Sequence, residues 1–217
     1  MRYHGVTTAF FIDRPNRFAA HVELGGAPET VHVKNSGRCR ELLVPGSRVI
    51  LAPAQNPRRK TRYDLIGVYA ENGALFNIDS QAPNKAVSEW LQKKDYSLIK
   101  PEYTFGRSRI DFYMERGKDR FLMEVKGCTL IRDSMGYFPD APTERGVWHL
   151  RELANAVRRG FRSTIAFVIQ TQGVSRVLPN TGTHPAFAEA LYEAEAAGVE
   201  VLCLPCRVEP DLLEIAE

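Results

Sequence analysis

The sequence lacks any long apolar run. Nothing in its 217 residues approaches the roughly 18 consecutive apolar residues that a membrane span needs. Residues 1–11 mix polar and apolar side chains, which is not typical of a secretory signal, so we expect a cytoplasmic protein with no membrane partner. Charge imbalance is also small, with a net charge of +3 and a pI of about 8.7. So small an excess of positive charge does not by itself imply that the protein binds nucleic acid.

Cysteine is sparse as well. The four cysteines, Cys39, Cys128, Cys203 and Cys206, are too scattered for a disulfide framework in a chain of this length. The last two have CxxC spacing, but a zinc site needs a second pair of ligands that the sequence does not offer. We therefore interpret them as small apolar residues of a strand. The sequence also has no Walker-type glycine loop and no Ser/His/Asp arrangement, which argues against an NTPase or a serine hydrolase.

The pattern of the first eighty residues predicts β-structure. Alternating apolar residues, bounded by Gly25-Gly26, Pro45-Gly46 and Asn72-Gly73, are typical of strands and tight turns. The predicted strands are 6–13, 17–24, 30–34, 48–51, 65–70 and 74–78. Strands this short and this closely spaced favour a small barrel or a sandwich.

The remainder predicts a mixed α/β domain, and we divide the chain into domains at 1–80 and 81–217. The predicted helices are 83–93, 144–159 and 185–197, and the predicted strands are 108–114, 120–126, 164–169 and 199–204. The first helix is expected to join the domains. Thr143 is a plausible N-cap of the second helix, and Gly160 is expected to end it.

Two acids and a lysine in the predicted hairpin form a candidate catalytic set. Alternate side chains of a strand share a face, so Glu124 and Lys126 point the same way while Val125 points into the core. Asp111 lies in the preceding strand and can meet Glu124 across the pair. Two carboxylates suit Mg²⁺ or Mn²⁺, with the Val125 carbonyl as a further candidate ligand. Lys126 would then orient water or offset negative charge at a phosphate.

The surroundings of this set leave alternatives open. Glu102 could complete the acidic cluster as a third metal ligand, while Arg107 and Arg109 could contact phosphate or neutralise the carboxylates. From the pattern alone, solvent-facing salt bridges across a hairpin are the more common explanation. The buried character of the strand around Glu124 and the α/β order, in which ligand sites gather at strand ends, favour a functional site.

The same residues match the PD-(D/E)xK nuclease pattern, and longer stretches match a narrower family. The chain resembles the sugar fermentation stimulation protein A family nearly end to end. The stretches that carry the resemblance are 34–38 (KNSGR), 106–112 (GRSRIDF), 124–126 (EVK), 136–141 (GYFPDA), 143–146 (TERG) and 149–153 (HLREL).

The resemblance implies a fold and an activity. The implied fold class is α/β, with an N-terminal OB-like small β-barrel and a C-terminal mixed α/β restriction-endonuclease-like domain. The implied activity is a Mg²⁺- or Mn²⁺-dependent nuclease acting on DNA, with RNA as a further candidate partner. Asp111 and Glu124 take the metal-ligand positions, Lys126 that of the catalytic lysine, and Glu102 that of an additional acid. Two departures are Ile110, where the superfamily name has proline, and Lys34 to Gly37, where the family's usual run is Pro-Asn-Thr-Gly.

Several polar residues are candidates for nucleic-acid contact. They are Lys34, Asn35, Ser36, Arg38, Arg58, Arg59, Lys60, Arg107, Arg109 and Arg145. The basic cluster at 58–60 is equally compatible with a solvated loop, and the turn at 35–38 with a purely structural role. Tyr137 and Phe138 could stack on bases, although packing beneath the helix at 144–159 is favoured.

Three side chains near the predicted site also have two interpretations. Arg145 and His149 share a helix face that could turn toward the active centre. For His149 a satisfied structural role is favoured. Gln170 could orient a water molecule or cap its strand.

A rival hypothesis is a non-catalytic DNA-binding protein that regulates sugar-utilisation genes, in which the acidic set is a structural network. The sequence shows no clear helix-turn-helix, and it does not indicate an oligomeric state.

Overall fold

The N-terminal part of the chain is a β-barrel, in a computed structural model that describes residues 1–35, 37, 39–56 and 58–216. Its strands are β1 (Thr7–Asn16), β2 (Ala19–Leu24), β3 (Ala27–Val33), β4 (Arg48–Pro53), β5 (Tyr63–Tyr69) and β6 (Leu75–Asn77). They pair in the order β3-β2-β1-β4-β5, and a parallel contact between β3 and β5 closes a five-stranded barrel, with β6 added beside β5. This is an OB fold, as the resemblance implies, and it is the barrel of the two alternatives that the strand pattern left open.

The β2–β3 hairpin shows how local sequence sets the barrel's register. Leu24 pairs with Ala27 across a loop of two residues, Gly25 and Gly26, whose φ angles are +61° and +82°. A two-residue hairpin needs this left-handed backbone, which glycine adopts without steric cost. The register directs Ala20 and Val22 into the barrel, where both are fully buried.

The C-terminal part is a mixed α/β domain. Its first elements are α1 (Ala82–Gln92), β7 (Leu98–Phe105), β8 (Ser108–Arg116) and β9 (Asp119–Cys128). There follow β10 (Leu130–Arg132), β11 (Met135–Phe138), α2 (Glu144–Arg158), β12 (Arg162–Ile169), β13 (Val177–Pro179), α3 (Pro185–Ala196), β14 (Glu200–Glu209) and β15 (Leu212–Ile215). The main sheet has the order β15-β14-β12-β9-β8-β7, in which β9, β12 and β14 run parallel and the other neighbours antiparallel.

Helices cover both faces of this sheet, which explains why its central strands read as nearly continuous apolar runs. Alternate residues of β9 show the division: Leu122 packs on the side of α2 and α3, whereas Met123 and Val125 pack on the side of α1. Val125 therefore points into a core, as predicted. Cys203 and Cys206 lie on opposite sides of β14 in the same way, so they are separate core residues and not a chelating pair.

The helix that faces the site begins and ends as the sequence predicts. The Thr143 side chain accepts a hydrogen bond from the backbone N–H of Gly146, which satisfies one of the free donors of the first turn. After the C-cap at Arg159, Gly160 has φ +81° and turns the chain away from the helix axis.

The pattern does not predict some of the short or exposed strands. It misses β7, which lies at the sheet edge, contains Pro101 and is mostly exposed, so its sequence lacks both alternation and burial. It also misses β15 and the small sheet formed by β10, β11 and β13, whose strands have three or four residues and too few side chains for a period.

Hydrogen bonds, as well as the connecting chain, join the two domains. The Gln170 side-chain amide, at the end of β12, donates to the Asn77 carbonyl at 3.0 Å, the Asn77 side chain at 3.1 Å and the Asp79 carbonyl at 3.3 Å. Residues 1–3 lie beside β15, where Leu213 N–H donates to the Met1 carbonyl at 3.0 Å, so they pack with the second domain although they precede the first. Within the described residues, no helix has the length and apolar character required to cross a membrane.

Candidate active site

Asp111 lies where the ladder between β8 and β9 ends. These strands pair from Arg116 opposite Asp119 to Phe112 opposite Met123, and Asp111 and Glu124 are the next residues of their strands beyond the last pair, close enough for the Glu124 charge to act on Asp111. There the Asp111 carboxylate accepts the Val125 backbone N–H at 2.7 Å through Oδ2. The end of the ladder thus brings the two predicted acids together.

Helix α1 holds the other oxygen of this carboxylate. The Asn84 side-chain amide donates to Asp111 Oδ1 at 2.7 Å. Sequence reasoning missed Asn84, because nothing in the pattern of α1 distinguishes one polar residue of its first turns from another. The contact is made between residues 27 positions apart.

Glu124 is buried, with 2% of its surface exposed, and its two oxygens are used unequally. Oε1 accepts from Lys126 Nζ at 2.5 Å and from His149 Nδ1. Oε2 is buried and has no hydrogen-bond partner within the described residues. A buried carboxylate oxygen without a partner is costly, so this atom marks a place where a cation would be stabilised.

His149 connects this carboxylate to the protein surface. Arg145 Nε donates to His149 Nε2 at 3.4 Å, and with Nε2 as acceptor the neutral ring carries its proton on Nδ1, which donates to Glu124. Lys126 Nζ lies 3.3 Å from the same Nδ1. His149 is therefore a satisfied buried residue, as favoured from the sequence, and it also faces the candidate site.

The pKa values of the two carboxyl groups move in opposite directions. Burial and the nearby Glu124 charge raise the pKa of Asp111, against the smaller effects of the Val125 N–H, Lys126 and Asn84. Burial also raises the pKa of Glu124, but His149 and Lys126 outweigh it and the net pKa is lowered. Two close carboxyl groups, one of which resists ionisation, are the arrangement that a bound cation relieves.

Glu102 and Arg109 do not join this pair. Glu102 has a left-handed backbone (φ +54°), and its carboxylate forms an ion pair of 3.2 Å with Arg109, with both side chains about two-thirds exposed. Arg107 lies exposed in the turn before β8. The sequence-based expectation that Glu102 completes an acidic cluster is thus not met, because the turned backbone at Glu102 directs its side chain to solvent.

The donors around Glu124 suit a divalent cation that takes few protein ligands. Within the part of the chain that the structure describes, no three His, Cys, Asp or Glu side chains converge as a metal cluster. Mg²⁺ is usually held by one or two carboxylates together with water and substrate phosphates, and it does not require a protein cage. The Asp111–Glu124 pair, with the free Glu124 Oε2, fits that smaller demand.

The candidate nucleic-acid contacts of the barrel are partly occupied within the protein. Lys34 Nζ forms an ion pair of 2.8 Å with Asp79, and Arg59 one of 2.8 Å with Asp64. The Asn35 side-chain amide donates to the Ile78 carbonyl at 2.9 Å, and its Oδ1 accepts the Gly37 N–H at 2.7 Å. The partners of Lys34 and Asn35 lie far away along the chain, so the sequence alone does not indicate them.

The other candidate contacts differ in position. Arg58, Lys60 and Arg145 are exposed. Ser36 and Arg38 lie outside the described residues. Of the aromatic pair, Phe138 packs against Phe167 and Phe187 at ring-centroid distances of 5.4 and 5.1 Å, whereas Tyr137 is half-buried at a cleft.

That cleft lies between the barrel and the second domain and has a volume of about 440 Å³; we call it the interdomain cleft. Its lining residues from the barrel side are Arg17, Asn35, Gly37 and Ser80, and those from the second domain are Gly127, Thr129, Leu130, Tyr137, Phe138, Pro139, Asp140, Ala141, Pro142, Thr143 and Gln170. Gly127 follows Lys126 directly in β9, whereas Asp111, Glu124 and Lys126 are not among the lining residues.

Comparison with known proteins gives the family. A model described as the sugar fermentation stimulation protein RE domain matches residues 81–212, and one described as the SfsA N-terminal OB domain matches residues 12–78. A sugar fermentation stimulation protein homolog of Desulfitobacterium hafniense is 49% identical, over 100% of this chain and 96% of that protein. The chain belongs to the SfsA family.

Other SfsA proteins are similar to this chain over nearly its whole length. A homolog from Ruminiclostridium cellulolyticum is 46% identical, over 99% of this chain and 96% of its own. The solved structure of Pyrococcus furiosus SfsA in complex with Ca²⁺ superposes with a TM-score of 0.87 at 30% identity, covering 99% of this chain and 96% of that one. The SfsA fold, an OB barrel followed by a mixed α/β domain, is therefore the fold of this chain.

Proposed function

We propose that this SfsA protein is a divalent-metal-dependent nuclease that hydrolyses phosphodiester bonds in DNA, with RNA as a second candidate substrate. The observation that carries the proposal is the Glu124 carboxylate, whose Oε2 is buried and has no partner among the described residues, while its charge acts on the carboxyl group of Asp111 beyond the end of the strand pair. The Ca²⁺ complex of the Pyrococcus furiosus relative supports it, because Ca²⁺ and Mg²⁺ both prefer oxygen ligands.

Each member of the set has a role in this proposal. Asp111 and Glu124 hold Mg²⁺ or Mn²⁺, and the cation supplies Lewis-acid chemistry that offsets charge on the phosphate and acidifies water. Lys126, 15% exposed and bonded to Glu124, presents its ammonium group beside the same carboxylate. From there it positions the attacking water or offsets the negative charge that develops on the phosphate oxygens.

The residues around the set hold it in place. The hydrogen bond from Asn84 fixes the Asp111 carboxylate, and the bond from His149 fixes Glu124 Oε1, so that Oε2 remains the oxygen available to the cation. Such supporting contacts tune metal affinity nearly as strongly as the ligands do.

The test is cleavage of labelled DNA and RNA with a series of divalent metals, comparing wild type with Asp111→Asn and Glu124→Gln. These variants keep the shape of each side chain, so the fold should persist. We expect Mg²⁺- or Mn²⁺-dependent cleavage by wild type, its loss in both variants, and weakened Ca²⁺ binding by calorimetry. Full activity of Glu124→Gln, or cleavage in excess EDTA, would contradict the proposal.

A second candidate function is a DNA-binding protein without turnover, with a role in the sugar fermentation for which the family is named. The observation that favours it is the Lys126–Glu124–His149 network, in which Glu124 Oε1 already accepts from both of its neighbours without any metal. This candidate predicts salt-sensitive DNA binding and no cleavage with any divalent metal. The metal series therefore separates the two functions.

A further inference from the structure

We propose that the interdomain cleft holds one unpaired nucleotide of the substrate, so that the protein selects single strands and unpaired ends over duplex. This inference rests on the proposed function and specifies its substrate class. Its basis is the position, size, lining chemistry and fixed walls of the cleft.

The cleft lies at the carboxyl end of β9, where Gly127, the residue after Lys126, lines it. Gly127 and Gln170 line it, and they lie at the carboxyl ends of the parallel neighbours β9 and β12, the edge at which ligand sites of α/β sheets gather. Thr143 lines it from the start of α2, the helix whose His149 contacts Glu124. A strand whose phosphate lies at Glu124 and Lys126 would therefore place an adjacent nucleotide in the cleft.

The size of the cleft suits one nucleotide. Its volume of about 440 Å³ lies within the roughly 300–1,000 Å³ range of pockets that enclose small ligands. A base that enters the cleft must leave the base stack. In a duplex it must also break its base pair, which costs free energy, whereas a base of a single strand has no pair to break. The volume thus favours an already unpaired nucleotide.

The lining offers both a stacking surface and polar groups. Tyr137 presents a half-buried ring, with the Arg132 guanidinium 5.7 Å from its centroid, and Thr129 adds a hydroxyl. Arg17 brings a positive charge from the barrel, with its guanidinium 4.7 Å from the centroid of the Phe18 ring, which is 54% exposed. Aromatic rings and a cation are the elements with which proteins bind single strands without reading sequence.

The walls of the cleft are fixed relative to each other. The Gln170 side chain lines the cleft and at the same time hydrogen-bonds Asn77 and Asp79 of the barrel side. Arg14 supports the barrel loop at the cleft, donating to the Asn35 carbonyl at 2.7 Å and the Gly37 carbonyl at 2.8 Å. Moving the walls apart to admit a base pair would break the Gln170 hydrogen bonds, so the cleft discriminates by size.

The experiment measures binding without cleavage. Fluorescence anisotropy in EDTA, at one fixed salt concentration, compares a labelled oligothymidylate with a blunt duplex of the same length. We expect wild type to bind the single strand more tightly by about tenfold or more. Thr129→Trp, which fills the cleft, should abolish that preference. Thr30→Trp makes the same change at an exposed position of β3 outside the cleft and should leave the preference intact.

Because Thr129→Trp could impair folding, Tyr137→Ala provides an independent arm. It removes the ring without adding volume and should weaken single-strand binding by about tenfold, with little change for duplex. Equal binding of single strand and duplex by wild type would overturn the inference. An unchanged preference in Tyr137→Ala and in folded Thr129→Trp would overturn it as well.

Cleavage distinguishes this inference from the proposed function. If wild type cuts blunt duplex and single strand equally well with Mg²⁺, the cleft inference fails and the nuclease proposal stands. If no metal supports cleavage but the binding preference depends on Tyr137, the nuclease proposal fails and the cleft remains a site for an unpaired nucleotide.

Discussion

The Asp111 carboxylate accepts the Val125 backbone N–H at 2.7 Å, at the point where β8 and β9 stop pairing. The Asp111 side chain thus has two roles. It accepts the N–H that would otherwise bond to a backbone carbonyl of the neighbouring strand, and it lies beside Glu124. Because backbone donors at a buried strand must be satisfied, stability and the proposed metal site depend on the same atoms.

This double role predicts that two substitutions of Asp111 differ in stability and agree in activity. Asp111→Ala leaves the Val125 N–H without its acceptor and should lower the free energy of unfolding by about 1–3 kcal/mol. Asp111→Asn retains an acceptor oxygen and should cost less, while both variants lose metal-dependent cleavage. Urea unfolding and a cleavage assay measure the two effects, and equal destabilisation by both variants would contradict this account.

Lys126→Met should separate chemistry from metal binding. Methionine keeps the length of the side chain but removes the ammonium group, so we expect kcat to fall by about 10²- to 10³-fold. Ca²⁺ affinity should remain within a few-fold of wild type, because Asp111 and Glu124 are still present. Lys118→Met, in the exposed turn between β8 and β9, is the matched control. A control that loses as much activity as Lys126→Met would refute the assigned role.

Glu124 should contribute to stability in a pH-dependent way. Its folded pKa is lowered from 4.5, because His149 and Lys126 outweigh burial. A carboxyl group with a lowered pKa stabilises the fold above its unfolded pKa, and the contribution is lost as pH falls through the folded value. The difference in unfolding free energy between wild type and Glu124→Gln should therefore shrink from about pH 7 to about pH 3.

Urea unfolding at several pH values measures this difference. The raised pKa of Asp111 acts in the opposite direction; the part caused by burial is present in both proteins and cancels, whereas the part caused by the Glu124 charge is lost in Glu124→Gln. A difference that stayed constant over the range would show that the Glu124 charge adds nothing to stability.

The cysteines should differ in reactivity. Burial raises the pKa of Cys39, Cys128 and Cys206 to about 12 in each case, whereas Cys203 is half-buried. At about pH 9 we expect iodoacetamide to modify Cys203 first and the other three only after unfolding, since the thiolate is the reactive form. Mass spectrometry of native and urea-treated protein measures this order. Rapid labelling of Cys206 in native protein would contradict the burial of its thiol.

Gly127 should tolerate no side chain while Gln170 is present. A Cβ atom at Gly127 would lie 2.3 Å from Gln170 Oε1 and 3.0 Å from Pro83 Cγ. Gly127→Ala should therefore cost about 1–3 kcal/mol of unfolding free energy. In a Gln170→Ala background the same change should cost less, because the nearest atom is gone. A double-mutant cycle measures this coupling, and additive costs would show that the two side chains do not interact.

How much of this could be predicted depends on the range of the interactions involved. Alternation along β9 is a local property, and it predicts the shared face of Glu124 and Lys126 together with the buried Val125. The N-cap at Thr143 and the turn at Gly160 are local as well. The candidate pair, Asp111 and Glu124, lies in a single hairpin, so its proximity can be predicted from the sequence.

The parts that could not be predicted depend on distant contacts. Asn84 reaches Asp111 from a helix 27 positions earlier, and Gln170 reaches Asn77 from 93 positions away. Glu102 was misjudged because its left-handed backbone is a conformation that glutamate rarely adopts. Lys34 looked available for phosphate because its acidic partner, Asp79, lies 45 positions away along the chain and becomes a neighbour only in the folded protein.

The edge strand β7 has a consequence for the behaviour of the protein in concentrated solution. An exposed strand edge is a template on which another molecule can add its own strand. Here Pro101 supplies no N–H, and the next residue, Glu102, turns the backbone at φ +54° and carries a charge. The run of donors and acceptors is therefore interrupted in the middle of the strand, which protects the main sheet against edge-to-edge aggregation.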